Sequence, residues 1–312
     1  MPRQHGGVSN ISTRSPPSGL IFALGGFALL SLGDGVVKSM SGLWAPPAMA
    51  ALRYTIGACG LALLLWRSEG RGGFAMPQPW AQLWRGAAVS LATVTFFAAL
   101  KFLPLPTATA LTFTSPILTA LLAAPLLGEP VRRETWIASI AAFAGVLIVL
   151  RPNFAAAGWA VVFPLVTALG MALLMIGNRF VAGKASPLAM QFFVAVMAAP
   201  ILLLAAAVFN FSGLEGSPIV WPSFRVAASC ALVALLASTA HWLIFLGTTR
   251  SGAASVAPMT YIQLLFSILL GWLFFEGHPD LLTLLGAAVI VGAGLYFWRA
   301  GRARLSPGLT AR

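Results

Sequence analysis

Apolar residues fill long blocks of this chain. They are interrupted only by Gly, Pro, Ser and Thr and separated by short polar joints. Membrane helices tolerate such interruptions because neighbouring groups re-satisfy the freed backbone. About 20 apolar residues cover the hydrocarbon core of a bilayer. On that measure the pattern predicts an all-α polytopic membrane protein with ten transmembrane helices. They fall at about 19–39, 46–66, 83–102, 105–127, 134–150, 158–178, 187–208, 225–247, 252–275 and 281–298. The longest joints, 67–82 and 209–224, are rich in Gly and Pro and read as loops. Residues 1–18 read as a disordered polar tail and 299–312 as a second tail. The first apolar block is too long for a signal-peptide core, so no cleavable leader is expected.

One stretch returns. Residues 104–129, PLPTATALTFTSPILTALLAAPLLGE, and 251–276, SGAASVAPMTYIQLLFSILLGWLFFE, align at an offset of about 147 positions. Glu129 then coincides with Glu276, Ala108 with Ser255, and Pro116 with Gln263. The alignment divides the chain into two five-span halves, 19–150 and 158–298. An odd number of spans inserts the second half from the opposite side, giving two inverted five-helix repeats. Repeats of this kind build carriers whose solute site lies where the halves meet.

Composition sharpens the membrane reading. Of 312 residues, 59% are hydrophobic and 8% charged, against about 25% charged in soluble chains. The net charge of +12 would raise nucleic acid as a partner for a soluble chain. Here the basic residues lie between apolar blocks and read as a topology signal, with no nucleic-acid partner. Arg3, Arg14, Arg67, Arg71, Arg85, Arg132, Arg133, Arg179, Lys184, Arg250, Arg299, Arg302, Arg304 and Arg312 fall on one side of the ten-span arrangement. Lys38, Lys101, Arg151 and Arg225 fall on the other. Retention of basic loops in the cytoplasm then places both termini there. Trp44, Trp66, Trp84, Trp136, Trp159 and Trp298 lie near the proposed ends, at headgroup level. Cys59 and Cys230 both sit in apolar blocks and suggest no disulfide framework.

Charges inside the apolar blocks are the first candidates for function. Asp34 and Arg53 each lie about 10 Å from the same face, across the hairpin of spans one and two. Lys38 is four residues from Asp34, on the same helix face. An intramembrane charge faces a bundle interior or a wet cavity, so the three read as a solute-facing or gating cluster. The alternative is an ion pair that locks the two spans. Thr112, Ser115 and Thr119 recur at helix-face spacing, and Pro116 frees the carbonyl near Thr112. Gln263 is a structural tie or a solute contact, and Phe113 and Tyr261 are aromatic walls or helix packing. His241 is a proton-coupling residue or a core histidine, beside Trp242. Glu129 and Glu276 end their spans as structural or gating glutamates. Asn178 and Arg179 read as an interfacial anchor. Gly286, Gly292 and Gly294 permit close helix approach, as a homodimer surface or within the fold. The three histidines are dispersed and suggest no metal site. No phosphate-binding loop GxxxxGK[ST] appears, and no nucleophile with an ordered base. No enzyme activity and no cofactor are expected.

Residues 103–131, LPLPTATALTFTSPILTALLAAPLLGEPV, and 248–277, TTRSGAASVAPMTYIQLLFSILLGWLFFEG, resemble the EamA family of the drug/metabolite transporter superfamily. The ALR segment at 51–53 and the ten-span length carry the same likeness. The Pro of the family's Gly-Glu-Pro motif is kept at Pro130, whereas the second copy reads Glu276-Gly277-His278-Pro279. The resemblance implies a secondary transporter of the bacterial inner membrane with both ends cytoplasmic. It implies alternating-access movement of an amino-acid-like, nucleoside-like or vitamin-like metabolite. Membrane lipids surround the protein, and proton coupling is one possible drive. The rivals are a facilitative channel-like pore and a non-transporting membrane scaffold.

Overall fold

In a bilayer the backbone must satisfy its own hydrogen bonds, so an apolar chain of this kind folds into helices. The computed structural model of the protein describes residues 17–127, 133–150, 158–181, 183–213, 218–251, 260–274 and 280–303. Its α-helices are α1 (Pro17–Ser39), α2 (Pro46–Glu69), α3 (Pro79–Phe102), α4 (Leu105–Thr112), α5 (Ser115–Leu127) and α6 (Arg133–Leu150). The second part supplies α7 (Val162–Phe180), α8 (Pro187–Asn210), α9 (Phe224–Ser251), α10 (Ile262–Phe274) and α11 (Leu281–Ala303). Four long helices have proline as their first residue: α1, α2, α3 and α8. There the missing N–H has no intrahelical partner to lose. Ser186 completes the start of α8, its Oγ accepting from the Ala189 N–H at 3.1 Å, a standard N-cap.

The expectation of ten transmembrane helices is overturned. Among the described residues six helices are long and apolar enough to cross a membrane: Ile21–Ser39, Pro46–Phe74, Pro79–Phe102, Gly158–Asn178, Pro187–Asn210 and Phe224–Gly247. The block 105–127 is apolar throughout, yet its helix breaks at Phe113–Thr114. Pro116 has no N–H to donate to the Thr112 carbonyl. The helix therefore restarts at Ser115, with proline at the tolerated second position. The pieces, of 8 and 13 residues, rise only about 12 and 20 Å at 1.5 Å per residue. The remaining apolar helical stretches are also short: Trp136–Val149, Ile262–Phe274 and Leu281–Tyr296. Apolar length and unbroken helix length differ here.

Packing joins the part of the chain before residue 151 to the part after 158. Helix α1 lies on α9, α2 on α8, α3 on α7, and α6 on α11, while α3 also meets α8 and α1 meets α10. Glycines set the closest of these approaches. A Cβ on Gly26 would sit 2.7 Å from the Ala240 carbonyl oxygen of α9. One on Gly286 would sit 2.7 Å from the Gly145 carbonyl oxygen. Gly286 thus packs within the chain, on α6. Small buried residues such as Ala50, Ala99, Ala172, Ala198 and Ala240 fill the interior. Large apolar side chains, including Leu64, Leu204, Leu235 and Leu284, are turned outward, as a lipid-facing surface requires.

Ring and side-chain contacts fix the directions. Phe102 at the end of α3 stacks with Phe163 at the start of α7 and makes a tilted contact with Trp159 just before it, so these helices run antiparallel. Ser186 before α8 donates to Glu69 at the end of α2. The end of α2, the start of α3, the end of α7 and the start of α8 therefore share one face.

Candidate functional site

Five helices line a small, half-open cavity of about 60 Å³. Helix α2 turns Arg53, Tyr54, Gly57 and Leu61 into it, α3 Arg85 and Val89, and α7 Leu174 and Asn178. Helix α8 adds Gln191, Val194 and Ala195, and α9 adds Ala234, Ala237, Ser238 and His241. The spacing explains the lining. Arg53, Gly57 and Leu61 recur every four residues, and Ala234, Ala237, Ser238 and His241 every three or four, so each set occupies one helix face. The cavity thus concentrates guanidinium, imidazole, amide and hydroxyl groups within an otherwise apolar bundle. No carboxylate is among the described residues that line it.

The two arginines are held differently. The Arg53 guanidinium lies over the rings of Tyr54 and Phe97, at 4.9 and 5.6 Å from their centroids. Such contacts anchor the cation through the ring faces. Among the described residues it has no hydrogen-bond or ion-pair partner, so its donors are uncommitted. Arg85 is only 2% exposed. Its Nε donates to Asn178 Oδ1 at 2.7 Å, and its Nη1 donates to Gln82 Oε1 and contacts Met190 Sδ. Gln82 is oriented in turn by donating to the Pro77 carbonyl at 3.2 Å. Arg85 is therefore fixed by amides, which leave its charge intact.

A second polar group lies at the junction of α1, α4 and α10. Gln263 Nε2 donates to Asp34 Oδ2 at 2.8 Å, and Ser31 Oγ donates to the Gln263 carbonyl at 2.8 Å. Ser267 Oγ donates to Thr109 Oγ1 at 3.4 Å. Phe113 and Tyr261 meet edge to face at 5.7 Å between centroids. Each of these five polar side chains has a protein partner.

The structure separates residues that their spacing had grouped. Asp34 bonds Gln263 of α10, and no ion pair joins it to Arg53 among the described residues. Lys38 Nζ donates to the carbonyls of Leu100 and Leu103 at 2.9 and 3.1 Å, closing the last turn of α3. A cation at a helix C-terminus is favourably placed. Thr112 Oγ1 and Thr119 Oγ1 bond their own helix at Ala108 and Ser115. Pro116 is the second residue of α5. His241 lines the cavity, while its neighbour Trp242 is 44% exposed on the outer surface. Glu129 and Glu276 lie outside the described residues. Among the described residues no three His, Cys, Asp or Glu side chains are grouped to hold a metal ion.

Sequence reasoning counts Arg85 among the basic residues of the cytoplasmic side, leaves Gln82, Gln191 and Ser238 unassigned and takes Asn178 for an interfacial anchor. Pro79 was the available signal for Arg85. A helix starting there carries the arginine six residues inward, whereas a span starting at 83 leaves it at the membrane surface.

The sequence profile described as the EamA-like transporter family matches residues 17–151 and again 158–298. A riboflavin transporter of Rhizobium johnstonii is 31% identical over 224 residues, covering 71% of this chain and 70% of that protein. An S-adenosylmethionine uptake transporter of Rickettsia bellii is 26% identical, covering 73% of this chain and 75% of its own. The pseudopaline exporter CntI of Pseudomonas aeruginosa is 26% identical over 288 residues, covering 88% of this chain and 94% of the exporter. A solved crystal structure superposes with a TM-score of 0.69 at 20% identity, covering 92% of this chain and 98% of that one. This last likeness concerns the fold.

Proposed function

Because the chain belongs to the EamA-like transporter family, a family of multi-pass small-molecule transporters, we propose that it is a secondary carrier for a small polar organic metabolite. It acts in the bacterial inner membrane by alternating access, and the five-helix cavity is its solute chamber. The observation that supports this reading is the inward polarity of α2, α3, α7, α8 and α9 against their apolar outer faces. Desolvating charges inside a bilayer is costly, and intramembrane charges mark solute pathways. The named relatives handle riboflavin, S-adenosylmethionine and pseudopaline, and they include both uptake and export. An amino-acid-like, nucleoside-like or vitamin-like solute fits that range.

In this scheme Arg53 and His241 face the solute. The Asp34–Gln263 bond ties α1 to α10 and must break when that seam opens. The segments 19–150 and 158–298 move relative to one another. Both tails face the cytoplasm, on the side where α2 and α7 end and where Arg67, Arg71 and Lys184 lie. The test is a metabolite-panel flux assay in proteoliposomes, with and without a pH gradient. Saturable flux accelerated by solute on the far side supports the carrier. Non-saturating flux would make the protein a pore, and no flux of any panel member a scaffold. Dependence on the gradient would identify protons as the coupled ion.

A further inference from the structure

We infer that the cavity is built for an organic anion, a metabolite carrying a carboxylate or phosphate, with Arg53 as its anchor and Arg85 fixing the charge of the opposite end. This inference rests on the carrier reading and names its solute class.

Two guanidiniums line the chamber and no described lining residue is a carboxylate. Asp34, the nearest candidate counter-charge, is outside the lining and already accepts from Gln263. A cation whose hydrogen-bond donors are unfilled inside a bundle is costly, and a solute oxyanion reduces that cost. The Arg53 fork matches an oxyanion bidentately, and its donors are uncommitted while Tyr54 and Phe97 hold its faces. Asn178 and Gln82 fill two donor sites of Arg85 with neutral acceptors, so its positive charge is oriented without being cancelled. Gln191 and Ser238 add hydrogen-bonding groups to the same chamber.

Placement adds a directional argument. Arg53 lies seven residues into α2 from Pro46, and Arg85 six residues into α3 from Pro79. These helices are antiparallel, so the arginines stand about 10 Å from opposite faces. Arg53 offers its free donors to an arriving anion, while the buried Arg85 contributes only its field from the other end. A solute with only positive charge meets two like charges and is rejected.

The test reads the cavity's potential and needs no knowledge of the solute. Ser238→Cys is introduced into the full chain in proteoliposomes, with Cys59→Ser removing the exposed native thiol. Its reaction rates with anionic sulfonatoethyl and cationic trimethylammonioethyl methanethiosulfonate are each divided by the rate with a free thiol. The expected anionic-to-cationic ratio is on the order of tenfold or more, because cations in the same chamber attract one reagent and repel the other at intermediate dielectric. Arg53→Gln should lower it several-fold, and Arg53→Lys should retain most of it. A ratio at or below one overturns the anion assignment and leaves the carrier reading standing, as does a ratio that Arg53→Gln in a folded protein leaves unchanged. No labelling by either reagent would remove the aqueous chamber and both readings with it.

Discussion

The five-helix cavity and the α1–α4–α10 junction carry similar polar side chains and use them in opposite ways. At the junction Gln263 donates to Asp34 and accepts from Ser31 at its main-chain carbonyl, and Ser267 donates to Thr109. In the cavity Arg53 is bonded to none of its surroundings among the described residues. A satisfied polar group holds helices together, because breaking it strands a donor or acceptor in a low dielectric. An unsatisfied charge can be completed by a solute. Commitment of the hydrogen bonds, more than the residue types themselves, separates latch from binding site.

Substitutions can break this contrast at either end. Arg53→Gln should have the largest effect, lowering kcat/KM for flux on the order of 100-fold, as loss of a charged hydrogen-bonded contact implies. Its melting temperature should stay close to that of the parent. A comparable fall in both quantities would move Arg53 into the structural class. Gln263→Ala should do the reverse. It strands Asp34 and costs about 1–3 kcal/mol of stability, read as an earlier unfolding transition by tryptophan fluorescence. An unaltered transition would show that the tie holds nothing. Ser31→Ala removes a single neutral hydrogen bond and should cost about 1 kcal/mol by the same measurement. The smallest effect belongs to Trp242→Leu. That indole faces outward beside the inward His241, so saturable flux should change by less than about twofold, as for a surface replacement. A loss as large as that of Arg53→Gln would place Trp242 in the solute path.

The membrane class was legible because hydropathy is additive along the chain. The start of α8 was legible because Ser186-Pro187 is a local capping signal. The number of crossings was not. Apolar character persists through 105–127 while Pro116 interrupts the hydrogen-bond ladder, and composition alone does not report helix continuity. Arg53 could be singled out because a lone charge in an apolar block is visible from its neighbours. Its real surroundings could not, since Tyr54 and Phe97 come from two helices and the cavity wall from five. Lys38 shows the same limit. Its spacing paired it with Asp34, but its long stem carried the ammonium to the end of α3.

That excursion of Lys38 bears on the tempo of the molecule. Its ammonium and the Ser41 hydroxyl together place three hydrogen bonds on the carbonyls of Leu100 and Leu103. The tail of α1 cannot part from α3 by gradual loosening, because one displacement severs the whole set. Motion along that seam should be a snap between two dwell levels, with long waits on either side and little time between.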